Sequence, residues 1–505
     1  MSALAERTDV ARDGVSAPVQ EVVGATACDG TCSLRAEHTE PVNADSQRRW
    51  ATLPLAERLQ VIRNTRHSIA LQSEAFADAI GVDLQRSRSD TLIAELLPLL
   101  DAMRFLERNS RSILATKRLG AAGRPLWLTG VQAEIRHVPL GHVVVIGPSN
   151  FPLFLPGVQA LQALVAGNCV TWKPGLGGSR VALLLANILR ASGLPRGVLS
   201  ITGESVEAAQ EALGKQPDKV IFTGSFASGR QVMRALAETA TPSVMELSGA
   251  DAIAVLPSAN LAAAAKAIAF GLRLNGAEVC MSPRRLVATP ETMLALRPLL
   301  EAELAVVLPL SLKPLTANAL TTLVTSAKQD GAELIGSLNP GAQKPLLIAN
   351  ARPSMAITQS DIFAPVLSLL EVPSALHMAD IINDCPYALA AAIFGPEREA
   401  RVLGEQLRVG TVLINDLIAP SADPRVPFGG RGRSGFGVTR GAEGLLEMTA
   451  TQTILARRKA ITQHYKPLGA RDFALFSGLI GLLHGGSLRS RLRAMRAVAA
   501  AGRSR

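Results

Sequence analysis

Aromatic side chains make up only 4% of this 505-residue chain, with two tyrosines and three tryptophans, so the core must be filled by Ala, Leu, Val and Ile. Cysteine is scarce as well. Cys28, Cys32, Cys169, Cys280 and Cys385 form an odd, scattered set, which excludes a disulfide framework and fits a reducing, cytoplasmic compartment. Cys28 and Cys32 stand in a polar leader with no histidine or second pair beside them, so no metal site is expected. No run of about 18 apolar residues occurs, so no single helix is expected to span a membrane. The first residues include Glu6, Asp9 and Asp13 and lack the apolar centre of a secretory signal. Excess charge is missing too, except at one end. Of 52 basic and 42 acidic residues, eleven basic and one acidic lie from Arg457 onward, which leaves 41 of each upstream. The body is neutral and the tail is strongly positive. That asymmetry points to an acidic surface partner, and the absence of aromatics among the tail's arginines argues against nucleic acid.

What is present is a large globular chain. Hydrophobic residues at 48% against charged residues at 19% are enough to bury a core, and the length allows two domains. Residues 1–40 show no period and are expected as a disordered leader. Trp50, Leu53, Leu55, Leu59, Ile62 and Ile69 predict helix from Asp45 to about Ile80, and a second helix runs from Thr91 towards Leu106. Leu119–Val138, with Gly, Pro and alternating apolar residues, reads as a hairpin arm. From Gly141 short β-branched runs alternate with helices: Val143–Ile146, Pro156–Ala166, Cys169–Trp172, Val181–Ser192, Val198–Ile201 and Val220–Phe222. Such alternation predicts an open parallel sheet covered on both faces. A second α/β region follows from about Gly249, with helices at Leu261–Leu274 and Pro290–Val306 and strands at Ala391–Phe394 and Thr411–Asn415. Pro427–Gly435 is a glycine-rich loop.

Three elements carry chemistry. Cys280 closes the run Asn275-Gly276-Ala277-Glu278-Val279-Cys280, a short loop after a helix, where a thiol can reach a cleft and act as a nucleophile once ionised. Glu278, two residues before it, is an anion that would raise the thiol's pKa. Glu246 lies in the short apolar strand Ser243–Leu247, where lost solvation raises a carboxylate toward the range of a general base. Asn150 follows a strand end and the Gly147-Pro148 pair, and its amide can donate to an oxyanion without ionising. A fourth stretch, Phe222–Gly229, joins a strand to a helix. There Gly224 allows the turn, and Ser225 with the first helical N–H groups can hold a pyrophosphate, Gly229 closing a Gly-x-x-x-x-Gly spacing. Lys173, at a neighbouring strand end, adds a cation for a ribose or phosphate.

In this order these residues resemble the aldehyde dehydrogenase superfamily over about residues 45–455. The matching stretches include Pro148–Pro152, Gly167–Pro174, Phe222–Ser225, Glu246–Gly249, Asn275–Cys280, Ile362–Val366 and Pro427–Gly430. The resemblance implies an α/β fold with a Rossmann-like cofactor domain (41–118 and 139–248), a catalytic domain (249–446) and a β-hairpin oligomerisation arm (119–138 and 447–462). It implies Cys280 as nucleophile, Glu246 as general base and Asn150 as oxyanion donor. Lys173 would meet the adenosine ribose, Ser225 the pyrophosphate, Asp361 the nicotinamide ribose, and Phe363 would lie beside the ring. The product would be a carboxylic acid formed through a cysteine thioester, and the assembly a homodimer or homotetramer. An acylating or reductive member, or a catalytically silent scaffold of the same fold, are the alternatives. Departures from the family's pattern concern the cofactor: Leu176 where a ribose-binding Glu is common, Ser248 and Ala364 for Gly, Asp361 for Glu, and Glu278 for Gln. Both NAD and NADP fit, with a slight lean to NAD.

Residues 463–505 lie beyond the resemblance. Phe473–Leu483 is an apolar segment of 11 residues, too short to cross a bilayer. In Leu488–Arg496, Leu488, Leu492 and Met495 fall on one helical side and Arg489, Arg493 and Arg496 on another. Residues 473–505 read as a peripheral anchor on an anionic membrane surface, the alternative being a helix docked on the body. An anchored enzyme would take a long-chain or apolar aldehyde.

Overall fold

Two largely parallel sheets are built from the chain's short β-branched runs in the computed structural model, which describes residues 40–80, 84, 86–457, 465 and 467–503. The leader with Cys28 and Cys32, and residues 458–462 of the expected arm, lie outside the described residues. The first sheet has six strands in the order Gly435–Phe436, Ser243–Leu247, Lys219–Gly224, His142–Ile146, Cys169–Lys173 and Leu199–Ile201. All neighbours are parallel except the first pair. Its central strands are mainly apolar because both faces are covered. Val143 and Val145 point into a core shared with helices Phe154–Ala166 and Ser179–Ala191, while Val144 and Ile146 join Phe222, Met245 and Leu236 on the other side. The chain order reverses between His142–Ile146 and Lys219–Gly224, so a crevice opens beyond the carboxyl ends of these two strands.

The second sheet has seven strands in the order Glu333–Ile335, Leu346–Ala349, Val366–Glu371, Pro283–Ala288, Asp251–Val255, Ala390–Phe394 and Thr411–Ile414. Only the Glu333–Ile335 pairing is antiparallel. A third sheet of three antiparallel strands joins Lys117–Leu119, Val131–Pro139 and Thr449–Arg457. The expected arm is therefore a sheet completed by a strand from far along the chain.

Several expected boundaries move for identifiable reasons. The helix expected from Asp45 to Ile80 is three helices, Ala44–Thr52, Leu55–Leu71 and Ser73–Ala79. Leu53 is extended (ψ 140°) because it precedes Pro54. The Thr91–Leu106 stretch contains a π-turn at Leu92–Leu96 before the helix Leu97–Ile113, just ahead of Pro98, which cannot donate a backbone hydrogen bond. The region expected as 249–446 does not stay with the second sheet. Gly435 and Phe436 pair with Glu246 and Met245, which returns the chain to the edge of the first sheet. The tail forms two helices, Ala470–His484 and Leu488–Arg503.

Candidate active site

The crevice at the chain reversal is a cavity of about 760 Å³ lined by Pro148, Ser149, Asn150, Thr223, Gly224, Ser225, Glu246, Cys280, Asp361 and Phe363 among others. Of the expected site residues it gathers Cys280, Glu246, Asn150, Gly224, Ser225, Asp361 and Phe363. A second cavity of about 430 Å³ also reaches Cys280 and is walled by Leu97, Phe151, Phe154, Phe270, Met281 and Ile418. The thiol thus stands between the crevice and a second chamber whose lining is mainly apolar but also carries Arg86, Asp90, Asp101, Arg273 and Arg440.

Cys280 is half-buried after a tight turn in which Asn275, Gly276 and Ala277 all have positive φ (51°, 62° and 64°). Asn275 and Ala277 pay a strain cost there that surrounding contacts offset. The Asn275 amide donates to the Asn150 and Glu278 carbonyls (2.9 and 3.1 Å), and its carbonyl oxygen accepts from Arg86 Nη1 (3.0 Å). Arg86 Nη2 also donates to the buried Glu95 (2.6 Å), whose other oxygen accepts the Leu153 and Phe154 N–H groups (3.2 and 2.6 Å). One guanidinium therefore joins the thiol-bearing turn to the π-turn at the chamber wall.

Burial pushes the Cys280 thiol up to about 12; Asp251 and Glu246 push in the same direction, and Arg440 opposes them. This corrects the expectation for Glu278. Its carboxylate is paired with Lys313 (2.7 Å), and the acids that act on the thiol are Asp251 and Glu246.

Glu246 is buried, and burial raises its pKa against the hydrogen bonds and Arg440 that hold it down. Thr439 donates to one carboxylate oxygen; Gln159 Nε2 (3.1 Å) and Thr223 (3.3 Å) donate to the other. Gly435 pairs opposite it because a Cβ there would lie 1.8 Å from the Met245 carbonyl oxygen. The Asn150 side-chain oxygen accepts from Phe151 N–H (3.1 Å) and its Nδ2 donates to the Glu278 carbonyl (2.8 Å). That fixes the amide and leaves one of its two N–H bonds for another acceptor.

Ser225 caps the helix Phe226–Ala237, accepting from Ser228 N–H (3.2 Å). Asp361 accepts from the Ser248 hydroxyl, and after burial it is the main cause that raises the Tyr387 phenol's pKa. Two expected cofactor residues are not among those lining the crevice. Gly229 packs the helix onto the sheet, since a Cβ would meet Leu247 Cδ2 at 2.7 Å. Lys173 ends its strand half-buried near Glu204, whose carboxylate accepts from Gly177 and Ser179 N–H (2.8 and 2.7 Å). A cavity of this size with a helix N-terminus at one wall and a carboxylate and phenyl ring at another fits a dinucleotide.

Sequence reasoning missed Asp251, Thr439 and Arg440. Arg440 is buried, its guanidinium 4.3 Å above the Phe428 ring and 5.7 Å from that of Phe154. Its Nη1 donates to the Ser421 carbonyl, its Nε has no hydrogen-bond partner, and no carboxylate among the described residues is ion-paired with it. The available signal was its place, just after the glycine-rich loop that returns beside Glu246.

The family model for the aldehyde dehydrogenase family matches residues 15–454. The chain belongs to that family. It is 27% identical over 461 residues to a 4,4'-diapolycopene aldehyde oxidase from a Methylomonas species, covering 86% of this chain and 84% of the relative. It is 29% identical over 435 residues to a probable coniferyl aldehyde dehydrogenase of Pseudomonas aeruginosa, covering 82% and 89%. The solved structure of a Mycobacterium tuberculosis aldehyde dehydrogenase complexed with NAD+ superposes with a TM-score of 0.74 at 25% identity, covering 82% and 88%. This aldehyde dehydrogenase is accordingly an oxidoreductase that oxidises an aldehyde with a nicotinamide cofactor.

Proposed function

We propose that this aldehyde dehydrogenase converts a long, apolar aldehyde to its carboxylic acid. The observation that carries the reading is the apolar chamber ending at Cys280. The Methylomonas relative, named for 4,4'-diapolycopene aldehyde, is in keeping with it.

As a thiolate, Cys280 attacks the aldehyde carbon, and the remaining Asn150 amide hydrogen with the Cys280 backbone N–H donates to the oxyanion. The bound nicotinamide supplies a hydride acceptor. Glu246, made more basic by burial, takes a proton from water so that hydroxide releases the acid from the thioester. Asp361 and Phe363 would hold the nicotinamide end, and Ser225 with its helix the pyrophosphate. A water-activating base in the same cavity favours hydrolysis over transfer to another acyl acceptor.

The adenosine end favours NAD. Leu176 is 79% exposed and offers no acceptor, but Glu204 brings a carboxylate to the same loop beside Lys173, where a 2′-phosphate would be repelled. In this reading the six-stranded sheet is the cofactor domain and the seven-stranded sheet the catalytic domain. The three-stranded arm, with Trp127 and Leu455 exposed, would join copies into a dimer or tetramer. The basic tail would keep the enzyme at a membrane where apolar aldehydes partition.

A screen of straight-chain aldehydes of graded length, with NAD and NADP in turn, tests this. KM should fall as the chain lengthens, with acid as product, and Glu204→Gln should raise the relative use of NADP. Preference for short polar aldehydes would overturn the substrate assignment.

A further inference from the structure

Strand Pro283–Ala288 follows Cys280 almost at once, and its first residues are irregular. Asp251 pairs with Pro283 and Ala252 with Arg285, so Arg284 is the extra residue of a β-bulge. A bulge bends its strand and re-aims a side chain. Here that side chain is a guanidinium. Arg284 is buried, and its two terminal nitrogens go to backbone carbonyls of different segments. Nη1 donates to Ala364 (2.7 Å) and Nη2 to Ala277 (3.1 Å). Ala277 is the last positive-φ residue of the turn that leads to Cys280. Ala364 directly follows Phe363, which with Asp361 lines the same crevice as the thiol.

Burying a cation is unfavourable unless it is paired. No carboxylate among the described residues is ion-paired with Arg284. Burial lowers its pKa from 12.5 to about 10, against the attraction of Asp251, Asp361 and Cys280. An apolar side chain would fill the same space without that penalty. What it would not do is fix the separation of two carbonyls, which a rigid planar fork of N–H donors does. The turn also has a tether of its own, since Arg86 holds Asn275. The separate contribution of Arg284 is where the turn stands relative to the Asp361–Ala364 loop.

That separation matters to the reaction read above. The substrate carbon bonded to Cys280 gives up its hydrogen with both electrons to the nicotinamide, while its oxyanion closes to the thioester carbonyl. Donor and acceptor are carried by the two segments that Arg284 joins. A misplacement of about 1 Å between reacting atoms costs roughly 100-fold in rate.

We propose that Arg284 is a positioning residue that sets the separation between the Cys280-bound substrate and the nicotinamide ring by tying Ala277 to Ala364. The proposal rests on the placement of the nicotinamide at Asp361 and Phe363 given above.

Two activities of the full-length enzyme separate this from a structural role. Aldehyde oxidation at saturating cofactor needs both segments in place. Hydrolysis of p-nitrophenyl acetate without cofactor needs only the thiol, which takes the acetyl group and releases p-nitrophenolate, and Glu246, which activates water to free acetate. Arg284→Lys keeps a cation near the thiol, but one ammonium does not reproduce the fork. It should lower the ratio of aldehyde-oxidation kcat to ester-hydrolysis kcat at least about tenfold. Arg284→Met should lower the ratio as far and slow ester hydrolysis as well, because the cation is gone; if it does not fold, Arg284→Lys alone carries the test. A wild-type ratio in Arg284→Lys, whether both activities hold or both fall, would overturn the proposal. Asp361→Ala tells the two failures apart. An unchanged cofactor KM there would remove the nicotinamide placement and the proposal with it, whereas a raised KM beside an unmoved ratio in Arg284→Lys would remove the proposal alone.

Discussion

The Ser248 hydroxyl donates to a carboxylate oxygen of Asp361, 113 residues away in sequence. Both are departures from the family's pattern, and each explains the other. A carboxylate one methylene shorter needs a hydroxyl to aim it, which a glycine at 248 could not supply. Asp361→Ala should raise KM for the cofactor roughly 10- to 100-fold, the worth of a hydrogen bond to a charged group. Ser248→Gly should raise it less, and S248G/D361E should recover most of the loss. Initial rates against cofactor concentration measure all three.

Glu246→Gln keeps the shape and removes the base. Acid formation should slow by about 10²- to 10⁴-fold, and intact-protein mass spectrometry should show the acyl group retained. Cys280→Ala should show no adduct under the same conditions.

Asp251 is held neutral. Burial is the main cause, lifting its pKa from 3.8 to about 8 against the Ala390 N–H, Arg285 and Arg284. A carboxyl whose folded pKa lies above its unfolded value stabilises fully below the unfolded pKa and loses that contribution as pH rises through the folded one. Asp251's contribution to stability should therefore decline between about pH 4 and 8. Asp251→Asn, whose side-chain oxygen can still accept from Ala390, should flatten that decline. Thermal melts at pH 5 and 8 compare the two.

Arg440 is the cation that counters the carboxylates around Cys280. Arg440→Leu should slow iodoacetamide alkylation of Cys280 at fixed pH, because loss of that cation raises the thiol's pKa further. Arg440→Lys should lie between. An unchanged alkylation pH profile would remove Arg440 from the site.

The three groups proposed to react could be singled out in the sequence because each sits near the end of a regular element. Asn150 lies in the loop after strand His142–Ile146, Glu246 lies within strand Ser243–Leu247, and Cys280 follows helix Leu261–Arg273. Alternation of β-branched runs and helices likewise marked the first parallel sheet, and in the second region two of its seven strands. Thr439, Arg440, Gln159 and Asp251 were hidden because their part comes from contacts between distant segments. No local period announces that Gly435–Phe436 will return beside Glu246. The Glu278 expectation failed for the same reason, since Lys313 arrives from 35 residues on. The break before Pro54, by contrast, was readable from local chemistry alone.

Arg86, on the chamber wall, grips both the buried Glu95 and Asn275 on the thiol-bearing turn. Size tolerance and turnover are consequently coupled through one side chain. Trimming Arg86 to admit bulkier substrates would also release the strained turn, so any variant selected at that position for wider scope should surrender rate on every substrate it accepts.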